Sequence, residues 1–166
     1  MLAKLLSQID RRRPFATVSA HCDIPCKIYD PITAQLAVLT MIRMVDLLNE
    51  LPAVSDMSAA QLAQFNRLVA EKELHGKKVK AEIQVIWGDY IKQPQLDAFP
   101  ELHTLTHNIM LAASKSKQHI DRTATMDLLA LVNRFAEIFW LSKGLEVYSA
   151  NCPYPPAESV IYPQLG

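Results

Sequence analysis

Residues 30–50 read DPITAQLAVLTMIRMVDLLNE. Asp30 followed by Pro31 has the form of an N-cap with proline at the first helical position. The spacing predicts a helix over 31–50, with Val38, Met41, Ile42, Val45 and Leu48 recurring at helical intervals. Between Ala34 and Leu48 only Gln35, Thr40, Arg43 and Asp46 are polar. A helix apolar on nearly every side must be covered on nearly every side. In a chain of 166 residues that points to a subunit interface.

Outward from this segment the pattern stays helical. After a connection containing Pro52, Ser58 and Gln61 form a capping-box pattern that opens a second helix, expected over 58–91. Leu62, Phe65 and Val69 mark its first apolar stripe; Val79, Ile83, Ile86 and Tyr90 mark its last. Its middle, EKELHGKKVK, is polar and contains Gly76, so a kink or break is expected there. Residues 92–99 read as a loop. Pro100 opens a third helix with Leu102, Leu105, Ile109 and Ala112 on one face. Asp121 caps a fourth, with Leu129, Val132, Ala136 and Phe139 inward, and Gly144 fits its stop. Residues 145–166 hold four prolines and no periodicity, which reads as an irregular tail, wrapped on the surface or disordered. Four helices with short links predict an all-α, antiparallel four-helix bundle.

Composition agrees. Half the residues are apolar, 7% are aromatic and there are four glycines, a balance that suits packed helices. Lys plus Arg equals Asp plus Glu at 17 each, so charge gives no sign of a nucleic acid or an anionic membrane as partner. No apolar stretch is read as approaching the roughly 20 residues that span a bilayer. An odd count of three cysteines argues against a disulfide scaffold.

Residues 1–20 read MLAKLLSQIDRRRPFATVSA. The apolar stretch is short, and Arg11, Arg12 and Arg13 follow it, the reverse of a secretory signal. Val18-Ser19-Ala20 resembles a small-residue cleavage site directly before His21. The segment therefore reads as a propeptide removed inside the cell by a maturation protease, with the mature protein cytoplasmic.

His21-Cys22-Asp23-Ile24-Pro25-Cys26 puts an imidazole and two thiols within six residues. Alone, such a cysteine pair fits a redox pair, half a zinc site or two buried thiols. A tetrahedral zinc or iron–sulfur site wants four ligands, and no second cysteine pair exists. Thiolates are soft donors that suit several transition metals.

The longer string, HCDIPCKIYDP over 21–31, resembles the metal-binding hook of the nickel-containing superoxide dismutase family, usually H-C-D-x-P-C-G-x-Y-D-P. IWGDYIK over 86–92 with FPELH over 99–103, and Ile138-Phe139-Trp140 with Ser142-Lys143, are similar to the same family. The resemblance spans 21–144 and implies a four-helix bundle assembled as a homohexamer. It implies that the amine of His21, the amide nitrogen of Cys22, and the thiolates of Cys22 and Cys26 hold nickel in a plane. The His21 imidazole would then bind axially in the oxidised state, and the bond before Pro25 would be cis. The implied activity is disproportionation of superoxide to dioxygen and hydrogen peroxide by nickel(II)/nickel(III) cycling. Charge donation from two thiolates and an anionic amide favours the higher oxidation state. While Ala20 is attached, the His21 nitrogen is an amide and a poor ligand, so the uncut chain is expected to be inactive.

By the same resemblance Tyr29 controls access of small anions, Tyr90 hydrogen-bonds near the substrate face and Lys92 attracts superoxide. Asp23 reads as a loop hydrogen-bonding residue, Trp87 and Trp140 as core or interface residues. His103 and His107 lie one turn apart, a spacing that allows metal binding but more commonly marks a polar face. Three positions depart from the pattern. Lys27 stands where the family has glycine, and Ala37 and His75 stand where some members have a glutamate and an arginine that steady the axial imidazole. Ala37 and His75 favour the competing reading of a non-catalytic nickel- or copper-binding homologue, while Lys27 either carries strain that glycine avoids or adds positive charge beside the site. A purely structural bundle would leave the hook unexplained.

Overall fold

The computed structural model describes residues 27–166. The expectations for residues 1–20 and for His21, Cys22, Asp23, Pro25 and Cys26 lie outside the described residues. Four long helices form the body: α1 (Ile32–Asn49), α2 (Ala59–Val85), α4 (Leu102–Gln118) and α5 (Arg122–Leu141), with a short α3 (Gln93–Ala98) between the second and third long ones. α1 packs on α2 and α5, and α4 packs on the same two helices, so the four close into a ring around one core. This is the expected all-α, antiparallel four-helix bundle.

Each boundary has a local cause. The Asp30 carboxylate accepts the Ile32 amide at 2.8 Å, so α1 starts one residue later than the Asp-Pro pair suggests. Ser58 and Gln61 form the reciprocal capping box: the Ser58 amide donates to Gln61 Oε1 at 2.9 Å and the Gln61 amide to Ser58 Oγ at 3.3 Å. Asp121 Oδ1 accepts the Ala124 amide at 3.0 Å and opens α5. Gly144 takes φ +75°, the left-handed conformation that ends a helix at little steric cost.

α1 buries Ala34, Gln35, Ala37, Val38, Leu39, Met41, Ile42, Val45 and Leu48. It is long and apolar enough, by length and composition, to cross a membrane, which corrects the expectation that no stretch would be; half of that window is buried in the bundle.

α2 runs unbroken through Gly76, contrary to the expected kink. The glycine serves close packing instead. A Cβ there would fall 2.4 Å from Cγ of Lys117, so α4 approaches the α2 backbone where only hydrogen fits. One turn earlier the polar middle sends Lys72 inward. Its Nζ donates to the carbonyls of Ser116 (2.8 Å), Lys117 and His119 (3.0 Å), closing the C-terminus of α4. Burial holds the Lys72 amine below its ordinary pKa, the nearby Glu73 charge opposing that shift.

Two further expectations are corrected. The segment read as a loop over 92–99 contains α3, whose start is fixed by the Lys92 amide donating to Gln95 Oε1 at 3.0 Å. The tail read as irregular contains a hairpin, β1 (Val147–Asn151) paired antiparallel with β2 (Ser159–Pro163) in the register Val147↔Pro163 to Asn151↔Ser159. Pro153, Pro155 and Pro156 lie in its connection and Pro163 at its end, so none interrupts the ladder. Val160 and Cys152 are fully buried and join the core of the bundle.

Candidate metal-hook site

The chain that carries the hook enters the described structure at Lys27. Lys27 has φ +60°, a left-handed conformation. The backbone there has the conformation that glycine adopts freely, and the lysine holds it against the steric cost of its Cβ. Three residues on, α1 is launched by Asp30. Between them, Tyr29 is half-buried, its ring centroid 5.9 Å from that of Tyr90 with the planes tilted by 49°.

Tyr90 comes from the neighbouring helix, where α2 ends in a π-turn. Residues Ile86–Tyr90 wind one residue wider than an α-helix, and the Ile91 amide bonds the Ile86 carbonyl at 3.1 Å. Such single wide turns re-aim side chains and recur at functional sites. The Tyr90 ring packs 4.8 Å from Phe139, which in turn meets Trp140 edge-on at 4.8 Å. The Tyr90 hydroxyl lies 2.8 Å from Ser142 Oγ, and Ser142 Oγ donates to the Phe139 carbonyl at 2.7 Å. Ser142 has one hydroxyl proton, and the carbonyl can only accept. Tyr90 is therefore the donor to Ser142, and its phenolic lone pairs stay available. Lys143 Nζ sits over the Tyr90 ring at 4.7 Å and near the Phe139 ring at 5.0 Å, a cation–π arrangement that places positive charge beside the tyrosine pair.

Lys92 is placed differently. It is exposed, and its Nζ donates to the Gly88 carbonyl at 3.0 Å, which ties it to the π-turn and not to either tyrosine. The geometry thus joins Tyr29 with Tyr90 and leaves Lys92 as a surface charge on the same turn. The sequence reading gave no role to Ser142 or Lys143. They stand within the Phe139–Lys143 stretch that carried part of the resemblance, but 52 residues separate Ser142 from Tyr90, and nothing in the string shows the contact.

Ala37 and His75 line one groove of about 340 Å³ at the α1/α2 seam, with Thr33, Leu36, Lys78 and Glu82. His75 Nδ1 donates to the Glu71 carbonyl at 2.9 Å. Thr33 Oγ1 donates to Glu82 Oε2 at 2.9 Å across the same groove. His103 and His107 line a second groove of about 400 Å³ with Trp87 and Met110. The Trp87 indole donates to His103 Nδ1 at 3.2 Å, so in the neutral ring the other nitrogen carries the proton. That arrangement opposes metal binding by the pair. Among the described residues no three His, Cys, Asp or Glu side chains are grouped to hold a metal ion. The donor set offered by His21, Cys22 and Cys26, one imidazole and two soft thiolates, is of the chemistry that binds a late transition metal.

The bundle, with an aromatic end where the Cys/His segment joins it, defines a class: small helical-bundle proteins carrying their donor chemistry on an N-terminal segment. The profile of the family described as nickel-containing superoxide dismutase matches residues 16–143, and the chain belongs to that family. It is 33% identical over 130 residues to the nickel superoxide dismutases of Streptomyces seoulensis and Streptomyces coelicolor, covering 78% of this chain and 93% of each relative. Among solved structures, a nickel-containing superoxide dismutase with its ligation in the oxidised state aligns with TM-score 0.66 and 30% identity, over 75% of this chain and 99% of that one. The same kind of enzyme after partial X-ray-induced reduction aligns with TM-score 0.65 and 27% identity, over 75% and 99%.

Proposed function

We propose that the chain, once cut before His21, is a superoxide dismutase that disproportionates superoxide to dioxygen and hydrogen peroxide at a nickel ion held by His21, Cys22 and Cys26. The observation that carries this is the Tyr29–Tyr90 pair, set at 5.9 Å on the part of the bundle from which the Cys/His segment departs. Nickel, held by His21, Cys22 and Cys26, would supply the one-electron couple that disproportionation of superoxide requires.

The protein's own groups do the rest. The two rings side by side narrow the approach, so that a small diatomic anion passes and larger ones do not. Tyr90, donating to Ser142, is held in one orientation. Lys143 over that ring, and Lys92 on the adjoining turn, draw an anion toward this end of the bundle. Release of the His21 amine by cleavage after Ala20 completes the donor set, and the reaction belongs to the mature protein. We place that cleavage in the cytoplasm and the mature protein in a homohexamer, for which Leu36 and Leu111, 40% and 57% exposed, are apolar contact points. The groove at Ala37 and His75, where the family resemblance implies a glutamate and an arginine, favours a second reading, a nickel- or copper-binding homologue without turnover.

Two proteins test the reading: the full chain, and the chain produced with His21 as its first residue. Each is loaded with nickel and assayed for superoxide decay. The expected result is turnover in the second and at least about 100-fold less in the first, more than the loss of one outer-shell partner of a metal costs. Stoichiometric nickel with no turnover in the second would establish the non-catalytic reading.

A further inference from the structure

The family match ends at residue 143, and the hairpin of β1 and β2 follows it. The hairpin is anchored beside the point where the hook segment joins α1. Gln35, in the first turn of α1 and 1% exposed, donates from Nε2 both to Asn133 Oδ1 at 2.9 Å and to the Ile161 carbonyl of β2 at 3.0 Å. Asn133 of α5 in turn donates to the Ser159 carbonyl at 2.9 Å. One buried amide thus ties the start of α1, the middle of α5 and the second strand together. Above this knot lies a cavity of about 130 Å³ walled by Asp30 and Ile32 on one side, Trp140 on another and Ile161–Pro163 on the third. Burial, aided by Tyr154, Cys152 and Tyr148, pushes the Tyr162 phenol above its ordinary pKa. At its far end the hairpin is pinned again: Arg122 bonds Asp46 of α1 at 2.8 Å and Glu158.

We propose that the hairpin is a brace for the root of the hook, with Gln35 and Asn133 as positioning residues that fix the direction in which the metal-binding segment leaves the bundle. Two hydrogen bonds to groups inside a low-dielectric seam resist displacement, because breaking them strands buried acceptors. Asp30, which launches α1, is four residues from the second cysteine of the hook and walls the braced cavity. A tilt of that first turn would move the point at which the chain runs back toward the cysteine. The inference rests on the dismutase reading only in taking the hook as the metal site.

The test compares Gln35→Met and Asn133→Leu with wild type. Asn133→Leu is informative because it removes the bond to the Ser159 carbonyl and one acceptor of Gln35 while leaving the Gln35 bond to Ile161. Ile109→Ala, a buried α4 position, serves as a control for general destabilisation. Hydrogen–deuterium exchange is followed on the peptide 27–37 of the full chain, and nickel(II) affinity on each chain beginning at His21. Both brace variants are expected to raise exchange in 27–37 and to weaken nickel binding, each about tenfold, as loss of a buried hydrogen bond or of an outer-shell partner does. The control is expected to move neither measurement more than about threefold, about 0.65 kcal/mol on the tenfold-per-1.36 kcal/mol scale. Brace variants that stay within threefold of wild type, or a control that matches them, overturn the proposal. Faster exchange with unchanged nickel affinity overturns its link to the metal. A wild-type chain that takes up no nickel refutes the dismutase reading, and exchange in 27–37 then decides the brace alone.

Discussion

The segment that carries the chemistry and the bundle that carries the segment are built on opposite principles. The candidate donors His21, Cys22 and Cys26 fall within six consecutive residues, whereas the described residues contain no grouping of three such side chains. The bundle holds its shape through a core contributed by every long helix and by the hairpin. Local spacing therefore sets what the hook can bind, and long-range packing sets where it is held. Damage to the first should silence the protein without unfolding it, and damage to the second should do the reverse. Residues at the junction should do some of each.

The largest separation is expected for Cys26→Ser. Replacing a soft thiolate by a hydroxyl should lower nickel-dependent superoxide turnover by at least about 100-fold, beyond the range for outer-shell partners. The melting temperature of the metal-free chain should stay within about 2 °C if the hook works as a ligand set, since such a segment adds to folding only with its metal. A large fall in the metal-free melting temperature would show that the hook is part of the fold and would break the comparison.

Phe139→Ala probes the junction from the bundle side. Phe139 is 1% exposed and stands against Tyr90 and Trp140 at 4.8 Å each. Truncation should cost about 3–5 kcal/mol in chemical denaturation. It should also lower turnover at temperatures where the variant is folded, because Tyr90 loses the ring that holds it. Destabilisation with full activity would mean that the tyrosine pair does not depend on its support.

How these groups were legible differs in the same way. The four long helices follow from short-range rules: the capping box of Ser58 and Gln61, the cap at Asp121 and the apolar stripes ending at Phe139. The hairpin does not, because two five-residue strands are too short for a periodic signal, and what holds them is Gln35, 126 residues from Ile161. Gly76 shows the limit from another side. Its effect on helix propensity is local and suggested a break, while the Lys117 side chain it makes room for is invisible along the chain. At the site, the string over 21–31 marked the candidate donors, which lie outside the described residues, and Tyr29, which the fold sets beside Tyr90. The bond from Tyr90 to Ser142 and the charge of Lys143 over its ring needed the fold.

Tyr90→Phe is the finer probe. It removes only the hydroxyl that donates to Ser142 at 2.8 Å, and Ser142 keeps its own bond to the Phe139 carbonyl. The stability cost should be about 1 kcal/mol. Turnover should fall by less than about tenfold, the worth of one neutral hydrogen bond, and inhibition by small anions such as azide should change in step if this hydroxyl faces the substrate. Unchanged turnover and inhibition would reduce Tyr90 to a packing residue and leave Tyr29 as the working phenol.

The smallest effect is expected at Lys27, where hook and bundle meet. A non-glycine residue at φ +60° bears a steric cost of about 1–2 kcal/mol. Glycine would remove it while adding roughly 0.5–1 kcal/mol of entropy to the unfolded chain. Lys27→Gly should then stabilise the protein by no more than about 1 kcal/mol. The charge acts separately. Lys27 is exposed, and a cation close to the hook should speed capture of an anion in a way that salt screens within about 10 Å. Turnover of Lys27→Gly should be lower than wild type at low ionic strength and converge on it as salt rises, while Lys27→Arg should match wild type throughout. A deficit that persists at high salt would place the lysine's contribution in its left-handed backbone conformation and not in its charge.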